Sequence, residues 1–96
     1  MGISVVVPVY NEFGSLATLY SELTEILDGV ATSAEIVFVD DGSTDGSPDM
    51  LDKLAQRDPR VQVLHLRRNY GQTAALMAGF RQSTGEVVIP MDGDGQ

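Results

Sequence analysis

The chain has 96 residues, and its 14 acidic and 6 basic side chains give a formal net charge of -8. This length allows one domain, the negative charge argues against nucleic acid as a partner, and the lack of cysteine excludes disulfides and thiolate metal sites. With no signal peptide and no apolar run near the roughly 20 residues that span a bilayer, we expect a soluble, cytoplasmic chain.

Apolar, β-branched runs alternate with helical patterns along the chain. Four strands are predicted, at Ile3 to Val9, Glu35 to Val39, Val61 to Leu66 and Glu86 to Met91. Apolar residues recur at helix spacing between them, over Leu16 to Leu27, Met50 to Ala55 and about Gly71 to Ser83. The alternation predicts an α/β fold, with a Rossmann-like parallel sheet of about four strands in the order 3-2-1-4 and helices on both faces.

Local signals mark the ends of these elements. Ser15 is a candidate N-cap of the first helix, Pro48 suits the opening turn of the second, and Gly85 is predicted to close the third. Pro90 lacks a backbone N–H, which predicts a bulged or edge strand there. The third helix has a face of small residues that should approach the sheet closely: Ala74, Ala75, Ala78 and Gly79.

Acidic residues follow the ends of the first, second and fourth predicted strands, where an open α/β sheet forms its ligand crevice. They are Glu12, Asp40, Asp41, Asp45, Asp92 and Asp94. Asp92 and Asp94, one residue apart after a buried strand, repel each other unless a cation neutralises them, and a hard divalent ion suits such oxygen ligands. A solvated Asp-Gly turn or the opening of a calcium loop are the alternatives.

Other polar residues near these strand ends are assigned structural roles. Ser43, Thr44, Asp45 and Ser47 are interpreted as turn and helix-capping residues. His65 alternates with Leu64 and Leu66 in a short strand, so we expect a packed or hydrogen-bonded side chain without a catalytic role.

Four motifs in order extend across the whole chain and together closely resemble the inverting GT-A glycosyltransferases of family 2. The motifs are Pro8-Val9-Tyr10-Asn11-Glu12, Val39-Asp40-Asp41-Gly42-Ser43-Thr44-Asp45, Arg68-Asn69-Tyr70-Gly71-Gln72 and Asp92-Gly93-Asp94-Gly95-Gln96. Within that family, the resemblance is greatest to polyprenyl-phosphate sugar transferases of the dolichyl-phosphate mannose synthase-like and bactoprenol glucosyltransferase-like kinds.

The resemblance implies roles for individual residues. The implied nucleotide-binding residues are Pro8, Tyr10, Glu12, Asp40, Asp41, Gly71, Gln72 and Asp92. The implied ligands of a Mg²⁺ or Mn²⁺ ion are Asp92, Asp94 and Gln96. The chain departs from the family at Gln72, where a Lys is common, and this departure weakens the case for a cationic contact to phosphate there.

By the same resemblance, residues 1–96 are the nucleotide-sugar-binding part of a GT-A domain, truncated after the D-x-D motif. The implied reaction transfers a sugar from a UDP- or GDP-sugar to a polyprenyl phosphate at the cytoplasmic face of a membrane. The general base is expected downstream, so we expect the fragment to be inactive alone and to self-associate through exposed sheet surface. The alternatives are a non-catalytic metal-binding module and a phospho-acceptor domain of receiver type.

Overall fold

The structure, a computed structural model, describes residues 2–30, 33–85 and 87–91. Strands and helices alternate along these residues, as the sequence predicts. In chain order they are β1 (Gly2–Val9), α1 (Phe13–Val30), β2 (Ser33–Asp40), α2 (Ser47–Arg57), β3 (Val61–His65), α3 (Gln72–Gln82) and β4 (Val87–Pro90).

The four strands form one parallel sheet in the order β3-β2-β1-β4, which confirms the predicted topology. The central strands β1 and β2 pair along their whole lengths, from Gly2 opposite Ser33 to Val9 opposite Asp40. Strand β4 is an edge of the described sheet, as the proline predicts: Pro90 lies opposite Val6. The carboxyl ends of the strands therefore meet at one edge, which is where the conserved geometry of open α/β sheets places a ligand.

Each face of the sheet is covered by helix, as predicted. On one face, α1 and α2 pack against alternate residues of β1 and β2, including Val5, Val7, Ile36 and Phe38. On the other face, α3 packs against Val6, Val37 and Val39 through Ala75. Both faces of the central strands are thus buried, which explains their nearly continuous apolar sequence.

The small residues of α3 let that helix approach the sheet closely. Ala75 and Gly79 are buried, and a Cβ atom on Gly79 would lie 2.2 Å from Val6 Cγ1 and 3.1 Å from Val39 Cγ2. The prediction was wrong for Ala74, which is exposed because it points away from the sheet.

Two predicted helix ends were wrong, and one was right. Pro48 does lie in the first turn of α2. Ser15 is not an N-cap, because α1 already begins at Phe13. Gly85 does not close α3: Ser83 is its C-cap, and Gly85 is needed instead because an added Cβ would lie 2.6 Å from Ser4 Oγ.

A buried carboxylate ties the connection before β4 to the amino end of the sheet. Glu35 in β2 accepts hydrogen bonds from Ser4 Oγ at 2.5 Å, from Thr84 N at 2.8 Å and from the Gln62 side chain. Ser4 Oγ in turn accepts the N–H of Gly85 at 2.8 Å. These bonds hold the connection before β4 at the amino end of the sheet, opposite the end where the loops after β1 and β2 lie.

In the described segments, every helix is too short or too polar to cross a membrane.

Candidate functional site

The loops that follow β1 and β2 lie side by side at the carboxyl edge of the sheet. Val9 is opposite Asp40 in the sheet, and the N–H of Asp41 donates to the Val9 carbonyl at 2.8 Å. Tyr10, the first residue after β1, is 45% exposed, so its ring is available to a ligand. The parallel register therefore brings the first two motifs together, as the sequence predicts.

Asn11 joins these two loops. Its backbone is left-handed, with φ of 50°, a conformation that asparagine tolerates better than most residues. Its side-chain oxygen accepts the N–H of Thr44 at 2.7 Å and of Asp45 at 3.3 Å, and its own N–H donates to Ser43 Oγ at 3.0 Å. The loop after β1 thus has its conformation set by the loop after β2.

The same loop after β2 also caps α1. Asp45 Oδ2 accepts the N–H of Phe13 at 3.2 Å, and Ser47 Oγ accepts the N–H of Glu12 at 3.2 Å. Hydrogen bonds from Ser47 and from the Phe13 backbone lower the pKa of Asp45. The predicted capping role is correct and extends to two helices: besides its bond to α1, Asp45 Oδ1 accepts the N–H of Ser47, the first residue of α2, at 2.8 Å, while the N-cap residue Gly46 has no side chain to do so.

Asp41 fastens the loop before α3 to the end of β2. It is 3% exposed, and its carboxylate accepts the N–H of Tyr70 at 2.8 Å, the N–H of Gly71 at 3.0 Å and the amide of Asn69 at 3.2 Å. Three donors on one carboxylate hold the third motif against the second. The immediate partners of Asp41 are therefore backbone and side-chain groups of the protein itself.

Glycine is required where these two loops touch. Gly42 has φ of 74°, and a Cβ on it would lie 2.3 Å from the carbonyl carbon of Arg68. Gly71, the N-cap of α3, has φ of 102°. The guanidinium of Arg68 lies 5.1 Å from the centre of the Tyr70 ring, a cation–π distance that orients both side chains at the loop surface.

Asp40, the last residue of β2, is 3% exposed and accepts two hydrogen bonds. Its Oδ1 accepts the N–H of Ser43 at 2.8 Å, and its Oδ2 lies 2.8 Å from His65 Nδ1. The other ring nitrogen of His65 lies 2.7 Å from Asp52 Oδ1 on α2. The expectation that this histidine is hydrogen-bonded is correct, and its partner is one of the predicted nucleotide-binding residues.

The remaining predicted site residues differ in where they lie. Pro8 is buried within β1, and Gln72 is the exposed first residue of α3. The predicted metal ligands all lie outside the described residues: Asp92, Asp94 and Gln96. Within residues 2–30, 33–85 and 87–91, no three acidic or histidine side chains converge as a metal site would require.

Asn11, Asn69, His65 and Asp52 make contacts at this site that the sequence did not predict. Asn11 lies two residues after β1 and Asn69 four residues after β3, and the sequence predicts them only as members of their motifs. Asparagine favours turns and tolerates a left-handed backbone, which is the conformation of Asn11. The bond between His65 and Asp52 carries no local signal, because the two residues lie on different elements.

Residues 4–96 match the family model described as Glycosyl transferase family 2. Among curated relatives, an undecaprenyl-phosphate 4-deoxy-4-formamido-L-arabinose transferase of Aeromonas hydrophila subsp. hydrophila is 44% identical over 93 residues, covering 96% of this chain and 28% of the relative. The enzyme of the same name from Pseudomonas syringae pv. syringae is 49% identical over 94 residues, with 96% and 28% covered. The chain thus spans less than a third of the length of these relatives.

Solved structures give the same result. S. aureus TarS 1-349 superposes with a TM-score of 0.84 at 32% identity, covering 98% of this chain and 28% of that one. The mannosyltransferase PcManGT from Pyrobaculum calidifontis, solved with GDP-Man and Mn²⁺, superposes with a TM-score of 0.84 at 31% identity, covering 96% and 27%. The described fold is that of the GT-A proteins, and the family match extends through all four motifs, so the chain belongs to glycosyltransferase family 2.

Proposed function

We propose that this chain binds the nucleoside diphosphate and metal of a nucleotide-sugar donor, as part of an inverting glycosyltransferase that acts on a polyprenyl phosphate. The observation that carries the proposal is the union of three motif loops at one edge of the sheet, in a chain whose family match continues through the D-x-D motif. The relatives named above act, by their names, on undecaprenyl phosphate, and PcManGT was solved with a nucleotide sugar.

The described residues suit a nucleotide by their chemistry. The exposed Tyr10 ring offers a flat apolar surface on which a base can stack. Asp40 would accept a base N–H, since an ionised carboxylate has about four lone-pair sites and the described residues occupy two of them with hydrogen bonds. Glu12 lies in the same loop as Tyr10, and Gly71 and Gln72 border the nucleotide at the start of α3.

We assign Asp41 an indirect role, in which it orders a loop at the nucleotide site without contacting the nucleotide. Its carboxylate holds the N–H groups of Tyr70 and Gly71, so it keeps the loop before α3 in place against the loop after β2. A loop that is already ordered costs less conformational entropy when a ligand binds. The two neighbouring acids of the second motif therefore have different roles: Asp40 contacts the nucleotide, and Asp41 orders the loop before α3.

A divalent ion fits the oxygen donors of the fourth motif. Asp92, Asp94 and Gln96 would hold Mg²⁺ or Mn²⁺, both of which prefer carboxylate and carbonyl oxygen ligands. When bound, the ion neutralises charge on the departing nucleoside diphosphate. Asp92 would border the ribose as well as the ion.

The acceptor and its activation belong to the whole protein. Transfer needs a base that deprotonates or orients the acceptor, and a polyprenyl phosphate must be reached at a membrane surface. We place the whole protein at the cytoplasmic face of that membrane. Self-association of the chain is a separate part of the proposal: Val88 and Ile89 on the edge strand are partly exposed, and unpaired edges favour pairing with a second copy.

Calorimetric titration tests the binding proposal. UDP and GDP are each titrated into the chain with Mg²⁺, with Mn²⁺ and with a chelator. We expect one of the two nucleotides to bind in the presence of metal and to bind at least about tenfold more weakly without it, because two uncompensated carboxylates then face the diphosphate. Asp94→Asn should abolish the metal dependence.

Glu25→Gln is the matched control, since it removes one negative charge from an exposed position on α1. The control should bind like the parent chain. Binding of neither nucleotide under any condition would overturn the proposal, and so would equal loss of binding in Asp94→Asn and in the control. Sugar transfer is measured on the whole protein with a polyprenyl phosphate acceptor, and we expect this chain alone to stay at background.

A further inference from the structure

The His65 ring lies between two carboxylates on different elements. Asp40 is directly opposite His65 in the pairing of β2 with β3, and both side chains project from the same sheet face. His65 Nδ1 lies 2.8 Å from Asp40 Oδ2, and Nε2 lies 2.7 Å from Asp52 Oδ1 on α2. The ring thus joins the end of β2 to a helix that packs on that face.

These contacts determine the charge of the ring. An ionised carboxylate can only accept hydrogen bonds, so both ring nitrogens must donate, and only the imidazolium carries a proton on each. The hydrogen bond to Asp40 raises the pKa of His65, partial burial opposes the rise, and the bond to Asp52 adds to it. Among the described residues, the charged groups that face the ring are Asp40 from β2 and Asp52 from α2.

A continuous path of hydrogen bonds leads from this ring to the loop after β1. The second oxygen of Asp40 accepts the N–H of Ser43 at 2.8 Å. The hydroxyl of Ser43 accepts the N–H of Asn11 at 3.0 Å, next to the exposed Tyr10. Movement of the Asp40 carboxylate therefore disturbs both loops that the proposed nucleotide contacts.

We propose that His65 is a positioning residue for the nucleotide, which as an imidazolium holds Asp40 through Nδ1 while Asp52 holds the ring through Nε2. The inference rests on the proposed function and adds to it a residue and a pH dependence. When Nδ1 loses its proton, Asp40 loses its donor; when Nε2 loses its proton, Asp52 no longer fixes the ring that donates to Asp40. The loops are then less ordered before binding, and nucleotide affinity falls.

The sign of the pH effect follows from this arrangement. The contribution of His65 is complete below the ordinary histidine pKa of 6.5 and disappears as the pH rises through the raised value in the folded chain. We expect affinity to fall about three- to tenfold across that range, the size of effect that one charge-assisted hydrogen bond produces when part of it reaches the ligand.

The test measures the affinity for UDP and for GDP with saturating Mg²⁺ from pH 5.5 to 9. The proteins compared are the parent chain, His65→Gln, Asp52→Asn and the control Glu25→Gln. The nucleotide affinity of the parent and of the control should fall as the pH rises. His65→Gln should bind weakly at every pH, without this fall. In Asp52→Asn the fall in affinity should occur at lower pH than in the parent. Dividing the parent profile by that of His65→Gln removes the titration of the nucleotide itself.

A direct readout accompanies the affinities, because His65 is the only histidine in the chain. Ring ¹⁵N resonances should show both nitrogens protonated at pH 6.5, with a titration midpoint that falls in Asp52→Asn. Parallel profiles of the parent and His65→Gln would overturn the inference while leaving the proposed function intact. Absence of nucleotide binding by the parent at every pH would overturn the proposed function itself.

Discussion

The side-chain oxygen of Asn11 accepts the backbone N–H of Thr44 at 2.7 Å, and this bond joins residues 33 positions apart in the sequence. It holds the first motif against the second and needs the left-handed backbone of Asn11. The candidate site is therefore assembled from loops that order one another, with the sheet supplying their common edge.

Replacing this asparagine should loosen both loops. Asn11→Ala removes the acceptor of Thr44 and Asp45 and puts a poorly suited residue at φ of 50°. We expect the free energy of unfolding in urea to fall by about 1 to 2 kcal/mol. Asn11→Gly restores the backbone freedom without the acceptor, so it separates the two contributions, and Asn11→Asp keeps both and should stay near the parent. If the free energy of unfolding of Asn11→Ala equals that of the parent, Asn11 does not hold the two loops together.

Asp41→Asn tests whether this acid holds the loop before α3. The amide group that replaces one oxygen would face the N–H of Tyr70 or of Gly71, so at least one of their hydrogen bonds is lost. We expect a loss of about 1 to 3 kcal/mol in the free energy of unfolding. Hydrogen exchange at the two amides should accelerate more than elsewhere in the chain; unchanged exchange there would disprove the role.

Glu35 should make the stability of the chain depend on acidity. Burial raises its pKa, but hydrogen bonds from Ser4 and Thr84 outweigh burial and bring the pKa below 4.5. The carboxylate therefore stabilises the fold fully above pH 4.5, and this contribution is lost as the pH falls through the folded value.

The comparison of Glu35→Gln with the parent measures that contribution. At pH 7 the variant should be less stable by about 1 to 3 kcal/mol, because the amide places a donor against donors. The difference should shrink toward pH 3, while the exposed Glu25→Gln shows no such change. A constant difference across this range would show that the charge of Glu35 contributes nothing.

A pair of glycine substitutions tests the close approach of α3. Gly79→Ala would place a methyl group 2.2 Å from Val6 Cγ1, so the helix must move away from the sheet. We expect a loss of about 1 to 3 kcal/mol in thermal or urea unfolding. Gly14→Ala is the control: its Cβ meets nothing within 4 Å, and helix propensity should raise stability by about 0.5 to 1 kcal/mol. Equal effects of both substitutions would show that the contact is not tight.

The sequence alone was sufficient to predict the architecture and the edge of the sheet at which the site lies. Alternation of apolar runs and helical patterns predicted a parallel sheet in the observed order, because each pattern reflects which faces of an element are buried. Pro90 indicated the edge strand, and the acids after the first two strands indicated the shared edge. Such signals are local or periodic, and they can be read without knowing any distant partner.

Only the tertiary structure determined which groups these side chains contact. The two neighbouring acids of the second motif look alike in the sequence, yet Asp41 binds the loop before α3 and Asp40 binds Ser43 and His65. Gly85, predicted as a helix end, is a glycine because Ser4 lies against it. Hydrogen bonds between residues about 30 positions apart depend on strand register and loop path, and these follow from packing the whole chain.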